Sequence, residues 1–331
     1  MSVLVTGGAG YIGSHMLLAL LDAGEKAVAL DNLATGARWL APESAAFVEA
    51  DVGDELALSR VFKEHDIKEV IHFAGSIVVP ESIRRPLDYY KNNTANTLTL
   101  IRACVDAGVS RFIFSSTASV YGRPERVPIS ETAPLQSISP YGATMAMSER
   151  ILEDAAAAHD LSYVTLRYFN VAGADPKMRA GEIGKPRHLI KVAAQIAVGA
   201  RKEKLQVFGD DYPTPDGTAI RDYVHVADLA QAHLGALKRL RENGLSATLN
   251  CGYGRGYSVY EVMDAFERVA GEKLPYEVAP RRAGDPPQLI ADNAAIRTAL
   301  DWRPRYDDID FIVETAIEWE RRLAAKAGEA A

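Results

Sequence analysis

Cysteine is scarce in this 331-residue chain: Cys104 and Cys251 stand alone and far apart, so no disulfide framework is implied. Long apolar runs are missing too, and none reaches the roughly 20 residues that span a bilayer. The chain runs straight into the apolar Val3-Leu4-Val5 with no charged leader or cleavage site, which leads to the expectation of a cytoplasmic protein. Basic residues are outnumbered, 37 Lys and Arg against 44 Asp and Glu, and the net charge of −7 disfavours a general nucleic-acid or anionic-membrane partner. An anionic small molecule is not disfavoured, because helix termini and a few arginines bind phosphates in acidic proteins. Internal repeats and low-complexity segments are lacking. What remains, 48% hydrophobic and 24% charged residues, is the composition of a globular enzyme with length for about two domains.

The first half alternates short apolar runs with helical patterns, the texture of a parallel sheet built from βαβ units. Val3–Thr6, Ala27–Leu30, Ala46–Glu49, Val70–Phe73, Phe112–Ser115 and Ser162–Leu166 read as strands, and Val28-Ala29-Leu30 and Phe112-Ile113-Phe114 have the continuous apolar character of strands covered on both faces. Tyr11–Ala23, Glu55–His65, Thr94–Ala107 and Tyr141–His159 read as helices between them. After Asn170 the texture changes. Ala172 to Pro186 is rich in Gly, Pro and charge, and beyond it Leu189–Val198, Ala227–Leu240, Val259–Val269 and Ile309–Ala324 carry helical patterns. The expectation is an α/β protein: a doubly wound parallel-sheet, dinucleotide-binding Rossmann domain over 1–171 and a smaller mixed α/β substrate domain over 172–331, with an approximate boundary that segments are free to cross.

Gly7-Gly8-Ala9-Gly10-Tyr11-Ile12-Gly13 follows the first strand and opens the first helix, the context that a dinucleotide fingerprint requires. Glycines there let the backbone turn tightly and approach a pyrophosphate, which rests on the positive end of the helix dipole. Asp31 ends the second strand, close to the ~20-residue offset at which a carboxylate accepts ribose hydroxyls. It would also repel a 2′-phosphate, which favours NAD over NADP; Arg38 is a nearby cation that would argue the other way. Asp51-Val52, after the third strand, suits the adenine edge, and an ordinary loop aspartate is an equal alternative on the residues alone.

Phe114-Ser115-Ser116-Thr117-Ala118-Ser119-Val120-Tyr121-Gly122 followed by Ser139-Pro140-Tyr141-Gly142 resembles the extended short-chain dehydrogenase/reductase family. Within that family, four further stretches resemble the UDP-glucose 4-epimerases: Phe208-Gly209-Asp210-Asp211-Tyr212-Pro213-Thr214-Pro215-Asp216-Gly217-Thr218, Arg221-Asp222-Tyr223-Val224-His225-Val226, Arg167-Tyr168-Phe169-Asn170 and Ala279-Pro280-Arg281-Arg282-Ala283-Gly284-Asp285. The resemblance covers nearly the whole chain, and motifs from both halves agree.

The resemblance implies a tightly bound NAD, reduced and reoxidised within one cycle, and the interconversion of UDP-galactose and UDP-glucose through a 4-keto sugar. Tyr141, as phenolate, is implied to take the proton of the sugar 4-hydroxyl, and Thr117 to hydrogen-bond the 4-oxygen. Gly7, Gly10, Tyr11, Ile12, Gly13, Asp31, Asn32, Asp51, Val52, Phe73, Ala74, Asn92, Tyr141 and Phe169 fall on cofactor positions. Thr117, Asn170, His188, Leu189, Phe208, Arg221, Arg282 and Asp285 fall on substrate positions. Two arginines suit a diphosphate by charge-assisted hydrogen bonds, and Phe208 suits an apolar wall at the nucleotide. No metal is implied. A homodimer through the helices Thr94–Ala107 and Tyr141–His159 is implied.

Met145 departs from the pattern. The family carries a lysine one helical turn after the tyrosine, on the same helix face, where its charge lowers the phenol's pKa and its ammonium holds the nicotinamide ribose. Methionine has similar length without charge, so the expectation is an intact fold, retained ligand binding and severely impaired turnover. His188 stands where asparagine is common, Ile77 where lysine occurs, and Leu289 where a bulkier tyrosine narrows the sugar pocket in some members. A smaller residue at 289 would admit N-acetylated UDP-hexoses. Two other readings compete. A sugar-nucleotide dehydratase or decarboxylase on the same scaffold needs a carboxylate that Ser116-Thr117-Ala118 does not offer. A binding protein without turnover would accommodate Met145 but leaves Thr117 and Tyr141 without a task.

Overall fold

A computed structural model describes residues 1–185, 188–282 and 285–329; Pro186, Ala283 and Gly284, which belong to stretches quoted above, lie outside the described residues. The strands β1 (Ser2–Thr6), β2 (Ala27–Asp31), β3 (Ala46–Glu49), β4 (Ile67–His72), β5 (Arg111–Thr117) and β6 (Ser162–Tyr168) alternate with helices α1 (Tyr11–Asp22), α2 (Glu55–His65), α3 (Val79–Arg84), α4 (Pro86–Tyr89), a π-helical turn (Tyr90–Ala95), α5 (Asn96–Asp106) and α6 (Pro140–Ala158). The second half follows as β7 (Asn170–Ala172), α7 (Leu189–Ala197), β8 (Leu205–Phe208), β9 (Ile220–Arg221), β10 (Tyr223–His225), α8 (Val226–Asn243), β11 (Ala247–Cys251), β12 (Tyr257–Ser258), α9 (Val259–Ala270), β13 (Tyr276–Ala279), β14 (Gln288–Leu289), α10 (Ala294–Leu300) and α11 (Ile309–Glu329).

Seven strands form one parallel sheet in the order β11-β6-β5-β4-β1-β2-β3. Alternate side chains of a strand point to opposite faces, and here both faces are apolar. Val3, Val5, Ala29, Ile71 and Ile113 pack with Met16, Leu17 and Leu20 of α1 and with Leu237 of α8. Leu4, Val28, Val70, Phe112 and Phe114 pack with Leu58 of α2, Leu100 of α5 and Leu152 of α6. Helices on both faces make the sheet doubly wound, as the near-continuous apolar strands require.

The chain crosses back after residue 172: α8 lies beside α1 under the main sheet, and β11 becomes its seventh strand. The remaining small sheets are β10-β7, β12-β9-β14 and β13-β8, with α7, α9 and α11 packed together beside them. Local signals set several helix ends. Ser139 caps α6 by accepting from the Gly142 amide at 3.2 Å, with Pro140 as the first helical residue. Ser258 and Glu261 form a reciprocal capping box on α9. Among the described residues no helix is long and apolar enough to cross a membrane.

Candidate active site

The glycine loop between β1 and α1 is fixed by close approach. Gly7 has φ +68°, and a Cβ on Gly13 would stand 2.1 Å from the Gly7 carbonyl oxygen, so the first turn of α1 rests directly on the loop. Gly10 precedes α1, no side chain caps the helix, and its first turn holds no acid. The first-turn amides of Tyr11, Ile12 and Gly13 therefore need an acceptor from outside the helix, which is the setting for an anion. The Tyr11 hydroxyl is committed elsewhere, donating to the Gly173 carbonyl at 2.6 Å, so Tyr11 offers its main chain to a ligand. Asp31, at the end of β2, takes the Ala9 amide on Oδ2 at 2.9 Å and the Leu33 amide on Oδ1 at 2.8 Å. The sequence motif pointed only to ribose hydroxyls; the structure adds that the same carboxylate braces the loop, with lone pairs to spare. Arg38 is occupied by the Phe47 ring, 4.4 Å from its guanidinium carbon, and by the Ala41 carbonyl.

From Asp31 a chain of side-chain amides follows the C-terminal edge of the sheet. Asn32 Nδ2 donates to Asp51 Oδ2 (2.8 Å), and Asn96 Nδ2 donates to Asp51 Oδ1 (3.0 Å) and Asn92 Oδ1 (3.4 Å). Asn92 Nδ2 then donates to Ser76 Oγ (2.9 Å). The chain closes on α6, because Asn93 holds the Ser76 amide on its Oδ1 (2.7 Å) and donates its Nδ2 to Thr144 Oγ1 (3.1 Å). Asn92 was singled out from the sequence; Asn93, Asn96, Ser76 and Thr144 were not, and they tie β3, the π-helical turn and the helix of Tyr141 together. Asn92 and Asn96 are four residues apart, which was the one local signal for a shared face.

A cleft of about 340 Å³ opens at the carboxyl ends of β4 and β5 and is lined by His72, Phe73, Ala74, Ser76, Asn93, Tyr141, Met145 and Tyr168, among others. Tyr141 lies in the first turn of α6 and Met145 one turn on, and both are buried. Burial pushes the Tyr141 phenol up to about 12, and a hydrogen bond with Thr117 pulls the other way. Thr117 ends β5 and accepts from the Ser119 amide at 3.2 Å. Among the described residues no cation acts on the Tyr141 phenol. His72, at the base of the cleft, lies between Thr6 Oγ1 (2.7 Å) and Thr97 Oγ1 (2.9 Å), and burial lowers its pKa to about 3. Phe73 stacks at a tilt on His233, 4.8 Å between centroids, and Phe169 is buried with its amide on the Cys251 carbonyl at 3.3 Å.

Two polar networks behind the cleft were not legible in sequence. Glu149 of α6 is buried, takes the Ser116 hydroxyl, and is gripped by Arg167 through Nε (3.0 Å) and Nη2 (2.5 Å). This pair fastens the Tyr141 helix to the strands that carry Thr117 and Tyr168. On the other face Ser115 Oγ lies 3.2 Å from His233 Nε2, while His233 Nδ1 lies 2.9 Å from the Leu229 carbonyl. Nδ1 must then carry the proton, which leaves Nε2 as an acceptor.

The expected substrate residues divide into two groups. Arg221 in β9 pairs with Leu289 of β14 and Tyr257 of β12. Burial lowers its pKa, opposed by the charge of Asp285, with Arg282 also acting on it. The Arg282 guanidinium lies 3.7 Å from the centre of the Phe208 ring. Phe208, Arg221, Arg282 and Asp285 are thus brought together. Asn170 in β7 is placed by its amide on the Asp222 carbonyl (2.9 Å), and Asp222 itself takes the Tyr253, Gly254 and Ala291 amides. His188 and Leu189 stand apart at the start of α7. His188 is exposed, 4.0 Å from Glu182, and borders a second pocket that the buried Lys191–Glu320 pair also lines. Ile77 is exposed at the rim of the main cleft.

A parallel, doubly wound sheet, an uncapped glycine-bound helix start and a Tyr–Thr pair at the strand ends agree with a match to the NAD dependent epimerase/dehydratase family over residues 3–252. The chain belongs to that family. Among its members, the UDP-glucose 4-epimerase of Azospirillum brasilense is 56% identical over 329 residues, covering 99% of this chain and 94% of that one. The crystal structure of a Stenotrophomonas maltophila UDP-glucose 4-epimerase with bound NAD and formylated UDP-arabinopyranose superposes with a TM-score of 0.95 at 40% identity, covering 98% of this chain and 99% of the other. The UDP-Glc/GlcNAc 4-epimerase of Campylobacter jejuni superposes with a TM-score of 0.84 at 46% identity, covering 97% and 99%.

Proposed function

We propose that the chain is a UDP-glucose 4-epimerase that interconverts UDP-galactose and UDP-glucose with a bound NAD, and that Met145 holds its turnover low. The observation that carries the reading is the buried Tyr141 phenol bonded to Thr117 at the strand ends, in a chain so closely similar to an A. brasilense UDP-glucose 4-epimerase. The glycine cradle, which a Cβ at Gly13 would fill, and the acid-free start of α1 fit a dinucleotide. Gly7, Gly10, Tyr11, Ile12 and Gly13 would hold its pyrophosphate, Asp31 its ribose, Asn32, Asp51 and Val52 its adenine, and Phe73, Ala74, Asn92 and Phe169 the remainder. When bound, NAD supplies the hydride acceptor and donor that no side chain provides. Tyr141 removes and returns the proton of the sugar 4-hydroxyl, and Thr117 orients that oxygen. Arg221 and Arg282 take the diphosphate, Phe208 walls the nucleotide, and Asn170, His188, Leu189 and Asp285 complete the site.

The homodimer belongs to this reading as well, supported by the exposed apolar Leu98 on α5 and Met147 on α6. So does a sugar pocket open to N-acetylated UDP-hexoses, since the 289 position holds leucine and the C. jejuni relative is a UDP-Glc/GlcNAc enzyme. The dehydratase alternative is weakened because Glu149, the carboxylate bonded to Ser116, is already engaged by Arg167. A binding protein without turnover is favoured by one observation, Met145 itself. The test is UDP-galactose conversion by the Met145→Lys form. UDP-glucose of unchanged mass supports the epimerase; a dehydrated product, or bound ligand with no product, overturns it.

A further inference from the structure

Asn96, the first residue of α5, is buried, and its two ends are treated unequally. Its Nδ2 serves two acceptors, Asp51 Oδ1 at 3.0 Å and Asn92 Oδ1 at 3.4 Å, whereas its Oδ1 is buried without a hydrogen-bond partner among the described residues. Turning the amide over would set its oxygen against two oxygens, so the donors fix its orientation. An orphaned buried carbonyl destabilises a fold, so stability does not account for an asparagine here. What Asn96 accomplishes is to hold Asp51.

Asp51 accepts the Gly53 amide (2.7 Å) and Asn96 on Oδ1, and Asn32 (2.8 Å) on Oδ2. A carboxylate offers about four acceptor positions. Three are filled, and the free one, on Oδ2, takes only a group that brings a hydrogen. The next residue, Val52, presents a main-chain N–H. An acceptor beside a donor complements the edge of adenine, with its 6-amino group and its unprotonated N1. Hypoxanthine presents the reverse, a 6-oxo group and N1–H. We propose that Asn96 is a positioning residue that locks the Asp51 carboxylate and thereby selects a dinucleotide with a 6-aminopurine. The proposal rests on the reading of Asp51 and Val52 as purine contacts.

The test offers the full-length protein an equimolar mixture of NAD and nicotinamide hypoxanthine dinucleotide, and the retained nucleotide is identified by mass. NAD should be retained in about tenfold excess or more, and Asn96→Leu should cut that excess by about tenfold, the effect of one lost hydrogen bond. Should the leucine variant fold poorly, Asn96→Ala removes the same donor with less bulk and should lower the excess in the same direction. An unchanged ratio in both variants, or equal weakening of both dinucleotides, overturns the role of Asn96. An unchanged ratio in Asp51→Asn overturns instead the reading of Asp51 as the purine contact. Retention of neither dinucleotide by the parent overturns the cofactor reading itself.

Discussion

In Met145→Lys a cation would enter the cleft one helical turn from the Tyr141 phenol. Burial holds that phenol at about 12, so roughly one molecule in 10⁵ is phenolate at pH 7. A cation within about 4–6 Å lowers such a pKa by roughly 1–3 units. The competent base then rises about 10- to 1,000-fold, worth ~1.4–4 kcal/mol. The gain has a counterpart in stability. Position 145 is buried, and the carboxylate one turn further on, Glu149, is held by Arg167 and Ser116, so the new ammonium loses hydration without gaining a carboxylate. The lysine form should therefore melt below the parent without ligand and recover when cofactor hydroxyls are present. The assay is the initial rate of UDP-glucose formation at saturating UDP-galactose between pH 7 and pH 9. The active base is the deprotonated phenol, so below its pKa the rate rises with pH. The parent, with its base near 12, should gain about tenfold per unit across this range, and the lysine form should rise with a similar slope from a rate about 10- to 1,000-fold higher, bending only near pH 9 if the shift is at its largest. A lysine form that binds both ligands yet turns over no faster than the parent would refute the reasoning, as would a parent rate indifferent to pH.

Gly13→Ala should abolish dinucleotide binding in calorimetry and lower the melting temperature, because its Cβ would stand 2.1 Å from the Gly7 oxygen. Glu149→Gln strands Arg167 as a buried charge and should cost about 3–5 kcal/mol in denaturant unfolding; a loss under about 1 kcal/mol would show that the pair does not fasten α6. Burial lowers the pKa values of His15, His72, His225 and His233 to about 4, 3, 3 and 4. The unfolded chain protonates its histidines near 6.5 and binds the extra protons, so stability should fall as the pH drops from about 6.5 toward 4, by up to about 1.4 kcal/mol per unit for each ring. Melting temperatures that stay level from pH 7 to 4.5 would contradict this. Leu289→Tyr, made in the Met145→Lys background, should reduce turnover of UDP-N-acetylglucosamine much more than that of UDP-glucose; equal losses would remove Leu289 from the sugar pocket.

What was legible in the sequence was whatever one segment encodes by itself. The β1–α1–β2 unit, its glycines and Asp31 occupy one continuous stretch, and the motif specifies both turn and ligand. The two-residue strands β9, β12 and β14 are too short to show any period, and β11 gave no sign that it would leave the second half to join the main sheet. The helix expected over Thr94–Ala107 begins instead with a π-helical turn, a change of phase that apolar spacing does not register.

The site divides along the same line. Tyr141 and Met145 could be paired from sequence because a helix fixes where i and i+4 stand. The groups that set their surroundings are joined only through space: Asp51 to Asn96, Asn93 to Thr144, Glu149 to Arg167, Ser115 to His233. All but the loop residue Asp51 are polar side chains of a strand or helix, and each is held in place by a partner 18 to 118 residues away. A buried polar group without its partner destabilises the fold, so these residues mark contacts whose other half no local pattern can name. A lysine at 145 would be one more such group, with its partners in the ligands as well as the protein. Methionine needs no polar partner, so under the proposed function its expected effect falls on the proton chemistry of Tyr141.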